Sequence, residues 1–199
     1  MREELDSGQL RRTLKRLAHE IIEQSGDFGQ LALIGIRTRG VPLAERLSGI
    51  IESLEGTRHP VGALDVTLFR DDLDRAGGAR ARLRKTDLPF SCADKDIVLV
   101  DDVLFTGRTV RAALAMLVNF GRPARVLLAV AVDRGGRELP VRADFVGRNL
   151  DVLPDEEVQV LLEESDGRDA IIVRDSPGFA KKHIPQDHSP HPSAPEDSP

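Results

Sequence analysis

Two adjacent carboxylates followed by a small-residue turn are the chain's clearest chemical feature: Val100-Asp101-Asp102-Val103-Leu104-Phe105-Thr106-Gly107-Arg108-Thr109. Four apolar residues, Ile97 to Val100, precede them and suit a strand buried on both faces of a parallel sheet. A helix is expected from about Thr109 to Asn119. In such a sheet, ligands lie at the carboxyl ends of the strands. The turn into a helix offers backbone N–H groups and the positive end of the helix dipole to a phosphate, and Gly107 lets the backbone approach an anion closely. Carboxylates beside a phosphate repel it unless they hold something else, such as sugar hydroxyls or Mg²⁺. A ribose phosphate meets both demands. Asp101 and Asp102 would accept from the 2′- and 3′-hydroxyls, and the Thr106–Thr109 turn would hold the 5′-phosphate. No Lys stands where a Walker loop requires one.

A second anion seat is expected at Gly35-Ile36-Arg37-Thr38-Arg39-Gly40, between a buried strand at Leu31–Ile36 and a helix from Val41-Pro42 to about Leu54. Exposed N–H groups with two guanidiniums suit a pyrophosphate. A third strand, Arg125 to Val132, ends in Asp133-Arg134-Gly135-Gly136-Arg137-Glu138-Leu139-Pro140, which would face the same crevice. These loops need a frame. Ser7 is expected to cap a first helix with Leu10, Leu14, Leu17, Ala18, Ile21 and Ile22 at helical spacing. Arg11, Arg12, Lys15, Arg16 and His19 lie on its other side, and Gly26 to Gly29 ends it. Ala63–Phe69 alternates as a strand does. Ala143–Val146, Val158–Leu162 and Ala170–Arg174 read as short closing strands. Arg70 to Pro89, polar and Gly-containing, suits a flexible lid that excludes water from a reactive phosphate ester.

The formal charge of −5 does not mark a nucleic-acid binder. Ile184–Pro199 carries Asp187, Glu196 and Asp197 with no Lys or Arg, so the rest is nearly neutral and any basic surface is local. A lone cysteine, Cys92, excludes an internal disulfide and fits a reducing cytoplasm. No run approaches the length of a membrane span. The expectation is one α/β domain over residues 1–183, with a flexible loop at about 70–90, and a Pro-rich acidic disordered tail over 184–199.

Several blocks together carry a family resemblance: Ile36 to Gly40; Leu68-Phe69-Arg70-Asp71-Asp72-Leu73; Val100 to Arg111; and Val132-Asp133-Arg134-Gly135-Gly136-Arg137-Glu138-Leu139-Pro140. With Arg11-Arg12 and Ala18-His19-Glu20 they resemble the PyrR family, the pyrimidine operon regulators that are also uracil phosphoribosyltransferases. The Asp101–Thr109 stretch is similar to the 5-phosphoribosyl-1-diphosphate (PRPP) signature of type I phosphoribosyltransferases. The resemblance, from about Leu10 to Arg174, implies the type I phosphoribosyltransferase fold: a parallel twisted sheet with flanking helices, plus a small hood over about 133–174.

It also implies the reaction of uracil with PRPP to give UMP and pyrophosphate, with Mg²⁺ held through PRPP and reached by Asp101 through water. Asp101, Asp102 and Arg39 would be the catalytic set. Thr38, Gly40, Val103, Leu104, Phe105, Thr106, Gly107, Arg108, Thr109, Asp133, Arg134 and Arg137 would complete substrate binding. Binding of UMP or UTP would couple to recognition of the pyrimidine operon mRNA leader by Lys15, His19, Arg137, Arg142 and Arg148. A homodimer or larger homo-oligomer is expected. Four departures stand out. Phe105 replaces a common Tyr, and Gly136 stands where many regulators have His. The acidic Leu150–Glu157 replaces a Pro-Thr-Ser segment, and the tail is extra. The last three predict weaker RNA binding. Two alternatives share the same site: an attenuator using it only as a nucleotide sensor, and a plain salvage enzyme.

Overall fold

The computed structural model describes residues 1–25, 30–67 and 85–176. Five strands form the main sheet in the order β3-β2-β4-β5-β6: β2 (Leu31–Ile36), β3 (Val61–Leu64), β4 (Asp96–Leu104), β5 (Arg125–Asp133) and β6 (Phe145–Asn149). All four pairings are parallel. Their apolar runs explain this, since a parallel strand is covered on both faces; every residue of β2 is buried. Helices α1 (Ser7–Gln24) and α2 (Gly40–Glu55) contribute Leu10, Leu14, Leu17, Leu43 and Leu47 to one cluster, with Val98 and Val100 from the sheet. On the other face, α3 (Arg108–Leu117) buries Val110, Ala113 and Met116 against Ile97, Leu99 and Val130.

A second, antiparallel sheet has the order β1-β8-β7, from β1 (Arg2–Leu5), β7 (Glu156–Leu161) and β8 (Ala170–Asp175). Its Leu5, Val158, Val160, Ile171 and Val173 join the α1–α2 cluster, so it packs on that side of the main sheet. A single-turn helix, α4 (Glu163–Asp166), links β7 to β8.

Several boundaries differ from expectation for local reasons. Asp6, not Ser7, caps α1: its carboxylate accepts from the Gln9 N–H at 2.7 Å while the Gln9 side chain accepts from the Asp6 N–H at 2.8 Å. The strand expected over Ala63–Phe69 ends at Leu64, where the Asp65 carboxylate accepts from the Thr67 N–H and starts a turn. The strand expected at Ala143–Val146 runs instead from Phe145 to Asn149 as β6, at the edge of the main sheet, and β1 has no counterpart in the sequence reading. The Leu68–Leu73 block, the lid up to residue 84 and the tail over 184–199 lie outside the described residues. No helix among the described residues is long and apolar enough to cross a membrane.

Candidate active site

Glycines bring the two expected anion loops together. A Cβ on Gly40, the first residue of α2, would lie 2.3 Å from the Val100 carbonyl oxygen and 3.4 Å from the Asp101 Cα. A Cβ on Gly35 would lie 2.3 Å from the Val41 Cα. Since real Cβ atoms do not come so near backbone, only glycine lets the 37–40 loop sit against the end of β4. The Arg37–Thr38 peptide within it is cis. Thr38 is exposed, Arg39 half-buried and Gly40 buried.

β4 continues through both carboxylates to Leu104, so they lie within the strand rather than after it. Consecutive strand residues point to opposite faces, and the two carboxylates differ accordingly. Asp101 is buried at 7% exposure and accepts from the Asp102 N–H at 3.0 Å. Asp102 is half-exposed and accepts from the Val103 N–H at 3.0 Å. Asp102 also lies near enough to Arg39 to favour its charged form. The strongest such influence on Arg39 comes from Asp166 of α4, which holds the guanidinium in two hydrogen bonds of 2.8 and 3.2 Å. The same pairing holds the Asp166 carboxyl below the usual carboxylate range. Two helical turns on, Arg46 grips Glu164 and Asp169, also at 2.6–2.8 Å. Arg39 and Arg46 thus fasten the second sheet's connection to α2.

After β4 the chain turns through Phe105, Thr106 and Gly107 into α3. Gly107 has φ +91°, in the left-handed region, and a Cβ there would meet Val141 at 3.1 Å. The Thr106 side chain is within 3.4 Å of the Arg108 N–H. Thr106 and Gly107 are buried, whereas Val103, Phe105, Arg108 and Thr109 are half-buried. The 133–141 loop lies directly on this turn. Arg134 stacks 4.1 Å above the Phe105 ring and is 7% exposed, and burial pushes its pKa below the ordinary arginine value. Gly136, at φ +71°, packs against Phe105: a Cβ would lie 2.4 Å from the ring edge. A cavity of about 410 Å³ opens beside them, bordered by Arg134, Gly135, Gly136, Asp151, Val152 and Leu153.

Arg137 is turned inward. Its Nε donates to the Val141 carbonyl at 2.9 Å, one terminal nitrogen to the Phe105 carbonyl at 2.7 Å, and the other to the Asp133 carboxylate. Of the expected RNA set, Lys15 and His19 are exposed on α1, and Arg142 and Arg148 are exposed before and on β6. α1 crosses β6 closely: a Cβ on Gly147 would lie 2.8 Å from the Thr13 side chain. Arg16, also on the basic side of α1, is committed. It donates to the Val146 and Gly147 carbonyls at 3.1 and 2.6 Å and pairs with Glu20. Asp166 and Glu138 were missed as partners of the site. Glu138 stands in a block already singled out, but nothing local in the sequence marks Asp166.

Among the described residues no group of three or more His, Cys, Asp or Glu converges as a metal site. The donor set present, a carboxylate pair at the end of β4, suits an ion such as Mg²⁺ that keeps most of its shell as water and ligand phosphate oxygens.

Residues 2–173 match the phosphoribosyl transferase domain family, so the chain belongs to the phosphoribosyltransferases. The fold agrees. Trypanosoma cruzi hypoxanthine phosphoribosyltransferase in complex with the product IMP superposes with TM-score 0.66 at 17% identity, covering 90% of this chain and 92% of that one. A hypoxanthine-guanine phosphoribosyltransferase from Bacillus anthracis superposes at 0.59 with 17% identity, over 76% and 86%. Sequence likeness is much closer to proteins named Bifunctional protein PyrR. That of Chloroflexus aurantiacus is 57% identical over 169 residues, 85% of this chain and 92% of its own length. That of Deinococcus radiodurans is 53% identical over 171 residues, 86% and 93%. The chain belongs to the PyrR family.

Proposed function

We propose that this protein is a uracil phosphoribosyltransferase that also regulates pyrimidine biosynthetic genes in response to uridine nucleotide. The observation that carries the enzymatic reading is the close approach of Gly40 to Val100 and Asp101, which sets an arginine-bearing anion loop beside a carboxylate pair and a phosphate turn. PRPP is the substrate whose charges match: pyrophosphate at the Thr38–Gly40 loop, ribose hydroxyls at Asp101 and Asp102, 5′-phosphate on the Phe105–Thr109 turn. In the reaction the C1′–O bond to pyrophosphate breaks, a C1′–N1 bond to uracil forms, and the uracil N1 proton leaves to solvent. The ribosyl centre is cationic as this happens, so fixed charges dominate over proton transfer.

Asp102 faces the crevice and stabilises that positive charge. Asp101, more deeply buried, orients the backbone beneath it and the ribose edge. Arg39 holds the leaving pyrophosphate once released from Asp166. Mg²⁺, when bound through PRPP with Asp101 or Asp102 reached by water, supplies charge neutralisation of the pyrophosphate. The base occupies the cavity beside Arg134, which Gly135, Gly136, Asp151, Val152 and Leu153 also border. Incubation with labelled uracil, PRPP and Mg²⁺ should yield labelled UMP; no product from folded protein would refute the assignment.

The regulatory half rests on a different surface. Lys15 on α1 and Arg148 on the adjoining β6 are exposed cations on neighbouring elements, with His19 exposed on the same helix as Lys15 and Arg142 just before β6. They suit the phosphates of a pyrimidine operon mRNA leader, read when UMP or UTP is bound. The protein would work in the cytoplasm as a homodimer or larger homo-oligomer. Leader binding measured with and without UMP tests this half separately.

A further inference from the structure

We infer that Arg137 and Glu138 are positioning residues for the phosphate turn, setting the direction of its N–H groups without touching the substrate. This rests on the assignment of that turn to the 5′-phosphate. Three consecutive carbonyls of the turn all face the 133–141 loop. The Leu104 carbonyl accepts from the Arg134 N–H at 3.1 Å and from Arg137 at 3.4 Å. The Phe105 carbonyl accepts from Arg137 at 2.7 Å. The Thr106 carbonyl accepts from the N–H groups of Glu138 and Leu139, both at 3.0 Å.

In a trans peptide the C=O and the following N–H point in opposite directions. Tying down the carbonyls of Leu104, Phe105 and Thr106 therefore aims the N–H groups of Phe105, Thr106 and Gly107 away from the loop. An anion seat needs just such a row of N–H groups turned outward together. The loop also steadies the next residue, because the Glu138 carboxylate holds the Arg108 guanidinium at 2.7 Å. Arg137 suits this task because its planar fork reaches several acceptors at once; a lysine offers a single point of donation. Both of its ends are fixed, by the Val141 carbonyl and by Asp133. Gly107 completes the fit by leaving room for Val141 and Leu139.

A positioning role predicts selective damage. The pyrophosphate loop at 37–40 is held by other contacts, so pyrophosphate affinity should ignore the loss of Arg137. The test is calorimetric titration of wild type and Arg137→Ala with ribose 5-phosphate and, separately, with pyrophosphate, each with Mg²⁺. Ribose 5-phosphate should bind the variant at least tenfold more weakly, while pyrophosphate changes less than twofold. Equal losses for both ligands would mean general unfolding and would overturn the inference, as would unchanged ribose 5-phosphate binding. Should Arg137→Ala not fold, Arg137→Lys is the variant to read, since it can still pair with Asp133 but cannot bridge Val141, Phe105 and Leu104. It should show the same selective loss. Wild type that binds no ribose 5-phosphate at all would instead refute the underlying site assignment.

Discussion

Asp166→Asn should make the protein less stable and at the same time bind pyrophosphate more tightly. The carboxylate holds Arg39 in two hydrogen bonds of 2.8 and 3.2 Å, with side chains 32% and 19% exposed. An exposed ion pair contributes under about 1 kcal/mol and a hydrogen bond to a charged group about 1.5–3 kcal/mol. At this partial exposure about 1 kcal/mol is expected, a fall in Tm of roughly 2–4 °C for a chain of this size. The asparagine retains an acceptor for the Leu162 N–H, which Asp166 now holds at 3.0 Å, so local structure survives. Pairing lowers the Asp166 pKa, so its stabilisation is present above the unfolded carboxyl value of about 3.9 and is lost as pH falls through the folded value. The gap between wild type and variant should therefore be full at neutral pH and close in acid. Pyrophosphate competes with Asp166 for Arg39, so the same ~1 kcal/mol should reappear as roughly fivefold tighter binding. Calorimetry on wild type, Asp166→Asn, Arg39→Ala and the double variant separates the effects, because Asp166→Asn should gain nothing once Arg39 is absent. Weaker pyrophosphate binding by Asp166→Asn would refute the competition.

Asp102→Asn should lower kcat/KM for UMP formation by about a hundredfold or more with little change in Tm, since its carboxylate is half-exposed and the role proposed for it is electrostatic; steady-state assays and a melting curve check this together. Arg142→Ala and Arg148→Ala should each weaken leader RNA binding and flatten the slope of log affinity against log salt by about one unit, with UMP synthesis unchanged. Gly136→Ala should cost about 1–2 kcal/mol through its positive φ alone, and more because the methyl meets the Phe105 ring, read as a lower Tm and weaker UMP binding.

Much of this arrangement was legible because its determinants are local. The apolar runs of β2 and β4, each followed by a glycine-bearing turn and a helix, and of β5, followed by a glycine-bearing loop, specify a parallel sheet and its ligand end. What escaped was set at a distance. β1 reads Arg-Glu-Glu-Leu, with one apolar residue, and is a strand because β8 offers its edge, Arg2 opposite Val173. Asp166 is 127 positions from Arg39, and no spacing rule links them. The basic side of α1 looked uniform in sequence, yet Arg16 spends its charge on the carbonyls of β6 while Lys15 and His19 remain exposed. Arg137, expected from sequence to contact substrate and RNA, instead donates to the Val141 and Phe105 carbonyls and to Asp133. Its inward turn follows from the two glycines before it, at φ +68° and +71°, which curl the loop back over the phosphate turn.

The pairing of β1 with β8 also has a consequence for how the chain is made. The parallel sheet can assemble in order as its strands emerge, but residues 2–5 must wait for residues 170–175. At about 5–20 residues per second, a ribosome leaves that strand without its partner for roughly 10–30 s. During this interval Leu5, later buried, is exposed beside an unpaired backbone edge. The polar Arg2, Glu3 and Glu4 around it then act as protection against wrong pairing. Substitutions that make this short segment more apolar should lower the yield of soluble protein from synthesis more than they lower the stability of what has folded.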